Sequence, residues 1–328
     1  MRAIVLKKEG GPEQLVMGEY PAPQPDSDEI LVKVKATALN RADILQRQGR
    51  YPPPAGESPL LGLEIAGTVA STGKNVTEWQ PGQPVCALLA GGGYAEYAVV
   101  HRQAAMPVPP NLSFTDAAAI PEAFLTAYQS LFRLGRMQPG HHVLIHAGAS
   151  GVGTAAIQLA KDFGAIVHIT AGSPEKMNFC RQLGATTAIN YKEEDFAERI
   201  LMSTAGHGVD IIIDFIGGPY WKRNMRALAL DGRIISLATM GGERIDDFNI
   251  RDLFKKRGSL ITSTLRARPL EYKIRLCKEF GQYAIPRFVD SRLRPVVDRI
   301  FDWKDVATAH LYMEENRNIG KIVLLISD

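Results

Sequence analysis

The chain has 328 residues, of which 45% are hydrophobic and 22% charged, and its formal net charge is +3. This composition is typical of globular proteins, and the length predicts two domains. No basic run reaches five residues, so nucleic-acid binding is not expected. No apolar stretch of about 20 residues is present to cross a membrane. The first residues lack the apolar core of a signal peptide, and we therefore expect a cytoplasmic protein.

Short apolar runs broken by glycine and proline fill the first part of the chain. The predicted strands are Ala3–Leu6, Ile30–Ala38, Ile65–Ser71, Val85–Leu89 and Tyr97–Val100. This pattern predicts an irregular, mostly β domain over residues 1–120.

The pattern changes after a predicted capping box at Ser113–Asp116, because strand and helix signals alternate from residue 142 onward. Alternation with nearly all-apolar strands predicts a parallel sheet covered on both faces, over residues 121–267. A helix is predicted over Glu271–Gln282, and the last predicted strand, Lys321–Ile326, has no partner within its own segment. We therefore expect residues 268–328 to return to the first domain, with the parallel-sheet domain inserted.

Cysteines and histidines give no metal-binding pattern. Cys86, Cys180 and Cys277 lie more than 90 positions apart, which fits neither a disulfide framework nor a zinc knuckle. We interpret the scattered histidines as surface or strand-end residues, and we predict reduced thiols and no metal. The histidines are His101, His141, His142, His146, His168, His207 and His310.

A glycine-rich turn at residues 146–153 follows a predicted strand and opens an amphipathic helix. Gly148 is predicted to permit the tight turn, and Gly153 to let the helix pack close to the sheet. Ser150 is small enough for a pyrophosphate to approach, and its hydroxyl can donate to a phosphate oxygen. The N–H groups at the start of the helix attract phosphate, which adds Gly151 and Val152 to the predicted site. The alternative is a purely structural turn.

The end of the next strand indicates which dinucleotide is bound. An NAD site usually has an acidic residue there, whereas this sequence has Gly172 and Ser173, followed by Lys176. Ser173 can hydrogen-bond a 2′-phosphate and Lys176 can neutralise it, so the pattern favours NADPH. Alternatively, Ser173 caps the helix and Lys176 is solvated, although capping and phosphate binding by Ser173 are compatible.

Several blocks, in order along the chain, carry a resemblance to a known family. They are Gly10–Glu13, Ala38–Asp43, Arg47–Tyr51, Leu61–Glu64, Ala119–Ala123, the glycine-rich turn and Asn318–Val323. The chain resembles the medium-chain dehydrogenase/reductase superfamily over essentially its whole length. Within it, the zeta-crystallin-like quinone oxidoreductases are most similar, in particular the tumour-suppressor-inducible branch. Zinc-dependent relatives have Cys near position 40 and His at position 63, whereas this sequence has Asn40 and Leu63.

The resemblance implies a GroES-like β domain formed by both ends of the chain, with an inserted Rossmann domain. It also implies an active-site cleft lined by Asn40, Asp43 and Tyr51, in which Tyr51 donates a hydrogen bond to the substrate carbonyl. Alternatively, Tyr51 is a stacked residue of a proline-rich loop, and Asn40 and Asp43 organise loops.

The predicted cofactor set has three further members. Tyr191 is expected to flank the adenosine phosphate, and Thr126 and Lys321 complete the set. Lys321 could instead be a strand-edge charge.

We therefore expect a zinc-independent, NADPH-dependent reductase of quinones. The alternatives are a 2-alkenal or enone double-bond reductase, and a non-enzymatic NADPH-binding protein of crystallin-like or nucleic-acid-binding type.

The segment Ser259–Leu265 is apolar and contains neither proline nor charge. As an edge strand it predicts a homodimer, unless its own chain covers it with the helix at Glu271–Gln282.

Overall fold

The computed structural model describes residues 1–246 and 248–327. The chain divides into two compact units, Met1–Leu125 with Leu265–Asp328, and Thr126–Thr264. The second unit is thus inserted into the first. The predicted domain limits, at residues 120 and 267, remain predictions.

The strands are β1 (Arg2–Leu6), β2 (Leu15–Glu19), β3 (Glu29–Ala38), β4 (Glu64–Thr72), β5 (Pro84–Leu88), β6 (Tyr97–His101), β7 (Ala105–Pro107), β8 (His142–Ile145), β9 (Ile166–Ala171), β10 (Thr187–Asn190), β11 (Val209–Asp214), β12 (Leu228–Ser236), β13 (Ser259–Thr262), β14 (Val297–Asp302) and β15 (Lys321–Leu325). The α-helices are α1 (Arg41–Arg47), α2 (Phe114–Ala117), α3 (Pro121–Tyr128), α4 (Gly151–Asp162), α5 (Pro174–Leu183), α6 (Phe196–Ser203), α7 (Trp221–Ala227), α8 (Ile250–Lys256), α9 (Leu270–Val289) and α10 (Val306–Glu314).

The first unit is built on a mixed sheet in the order β14-β15-β3-β4-β5-β7, with β6 paired to β3. Strand β15 pairs antiparallel with β3 and parallel with β14. The predicted return of the last strand is therefore confirmed. Alternate residues of β3 (Ile30, Val32 and Val34) are buried in the core of this unit, as the period of two in a strand requires.

The second unit is a parallel sheet in the order β10-β9-β8-β11-β12-β13. The strand order changes direction at β8, because β9 and β10 lie on one side of it and β11 to β13 on the other. Ile211, Ile212 and Ile213 of the central strand β11 are fully buried. This is the doubly wound arrangement expected from the sequence, in which ligands bind beyond the carboxyl ends of the strands.

Several elements differ from the sequence predictions. Strand β13 ends at Thr262, because Leu265 already belongs to the first unit. The sequence predicts a helix over Tyr220–Ala229, whereas α7 ends at Ala227, because Leu228 begins β12 and pairs with β11. None of the helices in the described ranges is long and apolar enough to cross a bilayer.

Helix α9 continues through Pro286 to Val289, whereas the predicted helix ended at Gln282. Phe280, Ala284 and Phe288, four residues apart, are each fully buried. Packing of this face therefore outweighs the weak helix propensity of Gly281 and Pro286.

Candidate functional site

The turn between β8 and α4 has the features of an anion-binding loop. Ser150 is the N-cap of α4, and its Oγ accepts a hydrogen bond from the Gly153 N–H at 3.0 Å. The Ser150 hydroxyl proton is left to donate, and the first N–H groups of a helix have no intrahelical partner. The start of α4 can therefore hold a phosphate.

The two glycines of this turn are required for close packing. The residue in the left-handed region is Ala147, with a φ of 50°, whereas Gly148, which was predicted to permit the tight turn, does not have a positive φ. A Cβ on Gly148 would lie 2.7 Å from the Cβ of Ile169 in β9. A Cβ on Gly153 would lie 2.5 Å from the carbonyl oxygens of Ala147 and Gly148. Gly153 therefore packs the helix against the turn rather than against the sheet.

The carboxyl end of β9 carries no acidic side chain. Ser173 caps α5, and its Oγ accepts from the Lys176 N–H at 3.3 Å, so the capping interpretation of Ser173 is confirmed. Strand β10 pairs in register with β9, which brings Tyr191 beside Gly172; a Cβ on Gly172 would lie 2.8 Å from the Tyr191 hydroxyl. Gly172, Ser173 and Tyr191 thus meet at one edge of the sheet, and Tyr191 is 40% exposed there.

A buried polar network, which was not predicted from the sequence, lies behind this edge. His146 Nε2 lies 2.8 Å from Asn224 Oδ1, and Nδ1 lies 3.0 Å from Thr170 Oγ1. Since Asn224 Nδ2 donates to Asp214, Asn224 Oδ1 is the acceptor, and the imidazole proton is on Nε2. Burial lowers the pKa of His146, so its imidazole is neutral. The network holds together the ends of β8 and β9, beside the turn that precedes α4.

Thr126 begins the second unit. Its Oγ1 is buried and has no hydrogen-bond partner within the described ranges. A hydroxyl in that state is consistent with the predicted role toward a ligand.

In the first unit, Lys321 is not a strand-edge charge. It is 5% exposed, and its Nζ lies 2.7 Å from Glu64 Oε1, a carboxylate that is fully buried. Nζ also donates to Leu39 O at 2.6 Å and to Asn40 Oδ1 at 2.7 Å. All three donors of the ammonium are therefore used inside this unit.

Asn40 and Asp43 make contacts that organise the surrounding loops. Asn40 Nδ2 donates to Glu64 Oε1 at 2.9 Å. The fully buried Asp43 accepts from the N–H of Asn40 at 2.8 Å and of Gly62 at 3.0 Å, and from Tyr94 Oη at 3.3 Å. Burial raises the pKa of Asp43 to about 6. These contacts favour the loop-organising interpretation of both residues.

His310 corrects the interpretation of the histidines as surface or strand-end residues. It lies on α10, is fully buried, and contacts Arg47 through Nδ1 and Tyr94 through Nε2, both at 3.3 Å. Burial, together with the nearby Arg47 charge, lowers the pKa of His310 to about 3. His168, within β9, is likewise buried, so it is not a strand-end residue. The burial of His168 and His310 could not be predicted from the sequence, in which each histidine stands alone.

Tyr51 lies in the proline-rich loop, half-buried, with its ring centroid 5.3 Å from the Arg266 guanidinium carbon. Its hydroxyl forms no hydrogen bond with the part of the chain that the structure describes. Burial raises the pKa of Tyr51, with Arg266 lowering it and Glu122 raising it, so the phenol is protonated at neutral pH. Arg266 was not identified from the sequence.

Glu122 was also missed. Its backbone N–H donates to Glu64 Oε2 at 2.8 Å, and its own Oε2 is a buried atom without a partner among the described residues. Burial, and then the neighbouring Glu64 carboxylate, raise the pKa of Glu122 to about 8. Glu122 therefore carries a proton at neutral pH.

Within residues 1–246 and 248–327, no group of three or more His, Cys, Asp or Glu side chains is placed to hold a metal ion. The three cysteines are buried thiols. Independence of zinc remains a prediction.

Comparison with known proteins gives two family matches along the chain. Residues 26–110 match the alcohol dehydrogenase GroES-like domain, and residues 151–284 match the family described as zinc-binding dehydrogenase. The quinone oxidoreductase of Rattus norvegicus is 31% identical over 332 residues, which cover 99% of this chain and 98% of that protein. A phenolphthiocerol/phthiocerol polyketide synthase chain of Mycobacterium tuberculosis is 31% identical over 98% of this chain, and the match spans 15% of that longer protein.

Solved structures match over the whole chain. An NAD-dependent alcohol dehydrogenase superposes with a TM-score of 0.89 at 33% identity and covers 100% of both chains. The Escherichia coli quinone oxidoreductase complexed with NADPH gives 0.89 at 30% identity, covering 99% of this chain and 100% of that chain. The CurK enoyl reductase gives 0.87 at 28% identity and covers 99% of both. Similarity at this level, over two units of matching fold, shows that the chain belongs to the medium-chain dehydrogenase/reductase superfamily.

Proposed function

We propose that this protein is a zinc-independent reductase that uses NADPH to transfer hydride to quinones. The observation that carries the cofactor assignment is the edge at the ends of β9 and β10. There Gly172 and Ser173 replace the acidic residue of an NAD site, Lys176 follows within one turn of α5, and Tyr191 lies alongside. The NADPH complex of the Escherichia coli relative supports the same choice.

The residues of the second unit bind and orient the cofactor. The start of α4 and the Ser150 hydroxyl hold the pyrophosphate, while Ser173, Lys176 and Tyr191 hold the 2′-phosphate. When bound, the nicotinamide supplies the hydride. Lys321 is left out of this set, because its three donors are used by Leu39, Asn40 and Glu64.

The residues of the first unit act on the acceptor. Tyr51 is protonated and half-buried, and its hydroxyl is free to donate a hydrogen bond to a carbonyl oxygen that gains negative charge. Asp43, Asn40, Glu64 and Lys321 form the buried framework that holds the neighbouring loops. Hydride and one proton together complete the two-electron reduction of the quinone, and solvent supplies that proton.

Stopped-flow oxidation of NADPH, followed in parallel with a benzoquinone, a 2-alkenal and no acceptor, tests this function. We expect rapid single-turnover oxidation with the quinone and slower oxidation with the alkenal. Absence of oxidation with either acceptor, despite saturable NADPH binding, would favour the non-enzymatic alternative.

A second candidate function is reduction of the double bond of an enone. The similarity to the CurK enoyl reductase favours it, and both reactions share the hydride step. A kcat/KM for 2-alkenals above that for quinones would establish this alternative in place of the first.

We also propose that the protein is a homodimer formed through β13. Burial alternates along this strand, with Leu260 and Thr262 exposed, and the nearby helix α8 exposes Ile250 and Phe254. An apolar edge of this kind is suited to pairing with a second copy.

The buried thiols are compatible with the expected cytoplasmic location.

A further inference from the structure

Arg266 is an unusual buried cation of the first unit. It is 3% exposed, yet the groups to which it donates are all neutral: Nε donates to Ala90 O at 2.6 Å, Nη1 to Tyr51 O at 3.3 Å and Nη2 to Gln46 Oε1 at 2.7 Å. Within the ranges that the structure describes, it forms no ion pair. Asp43, Glu122 and Glu57 act on its charge without forming an ion pair. A buried cation with no direct ion pair is costly, so its retention calls for a reason.

Other buried cations of the same unit are compensated. Arg47 pairs with Glu314 at 2.6 Å, and Lys321 pairs with Glu64 at 2.7 Å. Arg266 instead donates to three segments that are all far from it in sequence. They are the end of α1 through Gln46, the proline-rich loop through Tyr51, and the turn at residues 90–93 after β5 through Ala90. Gln46 extends the connection to the far end of the loop, because its Nε2 donates to Pro59 O at 2.9 Å.

The guanidinium also stacks on the Tyr51 ring, within the range at which a cation interacts with an aromatic face. It therefore contacts Tyr51 twice, at the backbone carbonyl and at the ring. A positive charge beside a phenol makes its hydroxyl a stronger donor, since it stabilises the electron density that the O–H bond leaves behind.

We propose that Arg266 is the positioning residue of the acceptor site: it fixes Tyr51 and places a buried positive charge beside its ring, which strengthens the hydrogen bond from Tyr51 to an acceptor oxygen that becomes negative. This inference rests on the proposed reductase function. Arg266 acts through Tyr51, so its effect on the reaction disappears when the Tyr51 hydroxyl is absent.

A double-mutant cycle tests the coupling. Arg266→Lys keeps the charge but loses the planar fork, and Arg266→Met loses both. We expect Arg266→Met to lower kcat for quinone by at least about tenfold with KM changed by less than about threefold, and Arg266→Lys to recover part of this loss. In a Tyr51→Phe background both changes should alter kcat by less than about twofold. Equal losses in both backgrounds would overturn the proposal.

Hydrogen–deuterium exchange of the free protein supplies a readout independent of turnover. Peptides covering residues 46–60 should exchange faster in both Arg266 variants. The matched control is Arg268→Lys, since Arg268 stacks on Tyr272 at 4.7 Å in the same segment. It should change neither exchange over 46–60 nor kcat.

Gln46→Met serves as the milder variant if Arg266→Met does not fold, because it removes one acceptor of the guanidinium and leaves Tyr51 intact. We expect intermediate exchange over residues 46–60. Unchanged exchange and turnover in the Arg266 variants of an active enzyme would overturn this proposal alone. If the wild-type protein oxidised NADPH with neither the quinone nor the alkenal, the proposed function would be overturned, and the role assigned through Tyr51 would fall with it.

Discussion

Burial shifts the acids and bases of the first unit in opposite directions. The pKa of Asp43 is raised to about 6 and that of Glu122 to about 8, whereas that of His310 is lowered to about 3. In each case desolvation disfavours the charged form. The neutral forms of Glu122 and His310 are therefore the ones that the fold accommodates at neutral pH.

Glu122→Gln should make stability less dependent on pH. The folded protein keeps the Glu122 proton up to pH about 8, whereas the unfolded chain loses it near the ordinary value of 4.5. The wild type therefore loses stability as the pH rises from 4.5 through 8, by at most about 1.4 kcal/mol per pH unit, and the neutral amide does not. Thermal melts should show the Tm of the variant rising relative to wild type between pH 5 and pH 9.

The exposed Glu19 provides the control for this experiment, since Glu19→Gln should leave the difference in Tm constant with pH. A Tm difference for Glu122→Gln that does not vary with pH would show that Glu122 is ionised in the folded protein.

Tyr51→Phe should lower kcat/KM for quinone by about 10- to 1000-fold, the upper end being the loss of one oriented donor in the transition state. The affinity for NADPH should stay within about a factor of three, because the ring and its contact with Arg266 are kept. Steady-state kinetics with quinone and alkenal, together with a fluorescence titration of NADPH, measure both quantities. Unaltered turnover with both acceptors would assign Tyr51 to packing alone.

Lys176→Ala should reduce the preference for NADPH over NADH. We expect the wild type to bind NADPH at least about tenfold more tightly, equivalent to about 1.4 kcal/mol, and the variant to lose most of this ratio. The control is Lys161→Ala, in the last turn of α4 and far along the helix from the start that is proposed to bind phosphate. Equal affinities of the wild type for the two cofactors, measured by fluorescence titration, would contradict the assignment.

At the scale of the elements, the turn before α4 has no room for another atom. Gly153→Ala should weaken NADPH binding by at least about tenfold, since the added Cβ would lie 2.5 Å from two carbonyl oxygens of the turn and force the helix start away. Gly281→Ala is the control: it lies in α9 with no atom within 4 Å of the added Cβ, and it should stabilise the protein by up to about 1 kcal/mol. Titration and thermal melts measure the two effects. Wild-type affinity in Gly153→Ala would show that the turn can relax.

Element prediction succeeded where one signal dominated. The apolar runs of β3, β4 and β5 give the positions of these strands to within one residue, and the amphipathic pattern after the glycine-rich turn gives the start of α4. Prediction failed where tertiary packing decides, as in α9, which continues past the predicted end at Gln282 and through Pro286. The glycine pattern allowed the residues of the turn before α4 to be predicted. The buried positions and contacts of Arg266, Glu122 and His310 could not be predicted. Their roles depend on partners distant in sequence, and an isolated Arg, Glu or His carries no sign of such a partner.

At the scale of the whole molecule, Ile261→Lys should convert a dimer into monomers, because it places a charge in the strand proposed to pair with its twin. Light scattering at micromolar concentration measures the mass. Met202→Lys is the control, since Met202 is 74% exposed on α6 and lies outside the proposed interface. A wild-type monomer with full activity would show that β13 needs no partner copy.

The position of β15 between β14 and β3 has a consequence for biosynthesis. During translation, β3 leaves the ribosome long before β15, whereas all strands of the inserted unit emerge together between them. The inserted unit can therefore acquire its sheet while the first unit still lacks an inner strand and Glu64 still lacks Lys321. We expect nascent chains stalled before residue 321 to expose the first unit to proteases and chaperones, and a cellular quality-control system would meet this protein first as a folded parallel-sheet unit flanked by an unfinished mixed sheet.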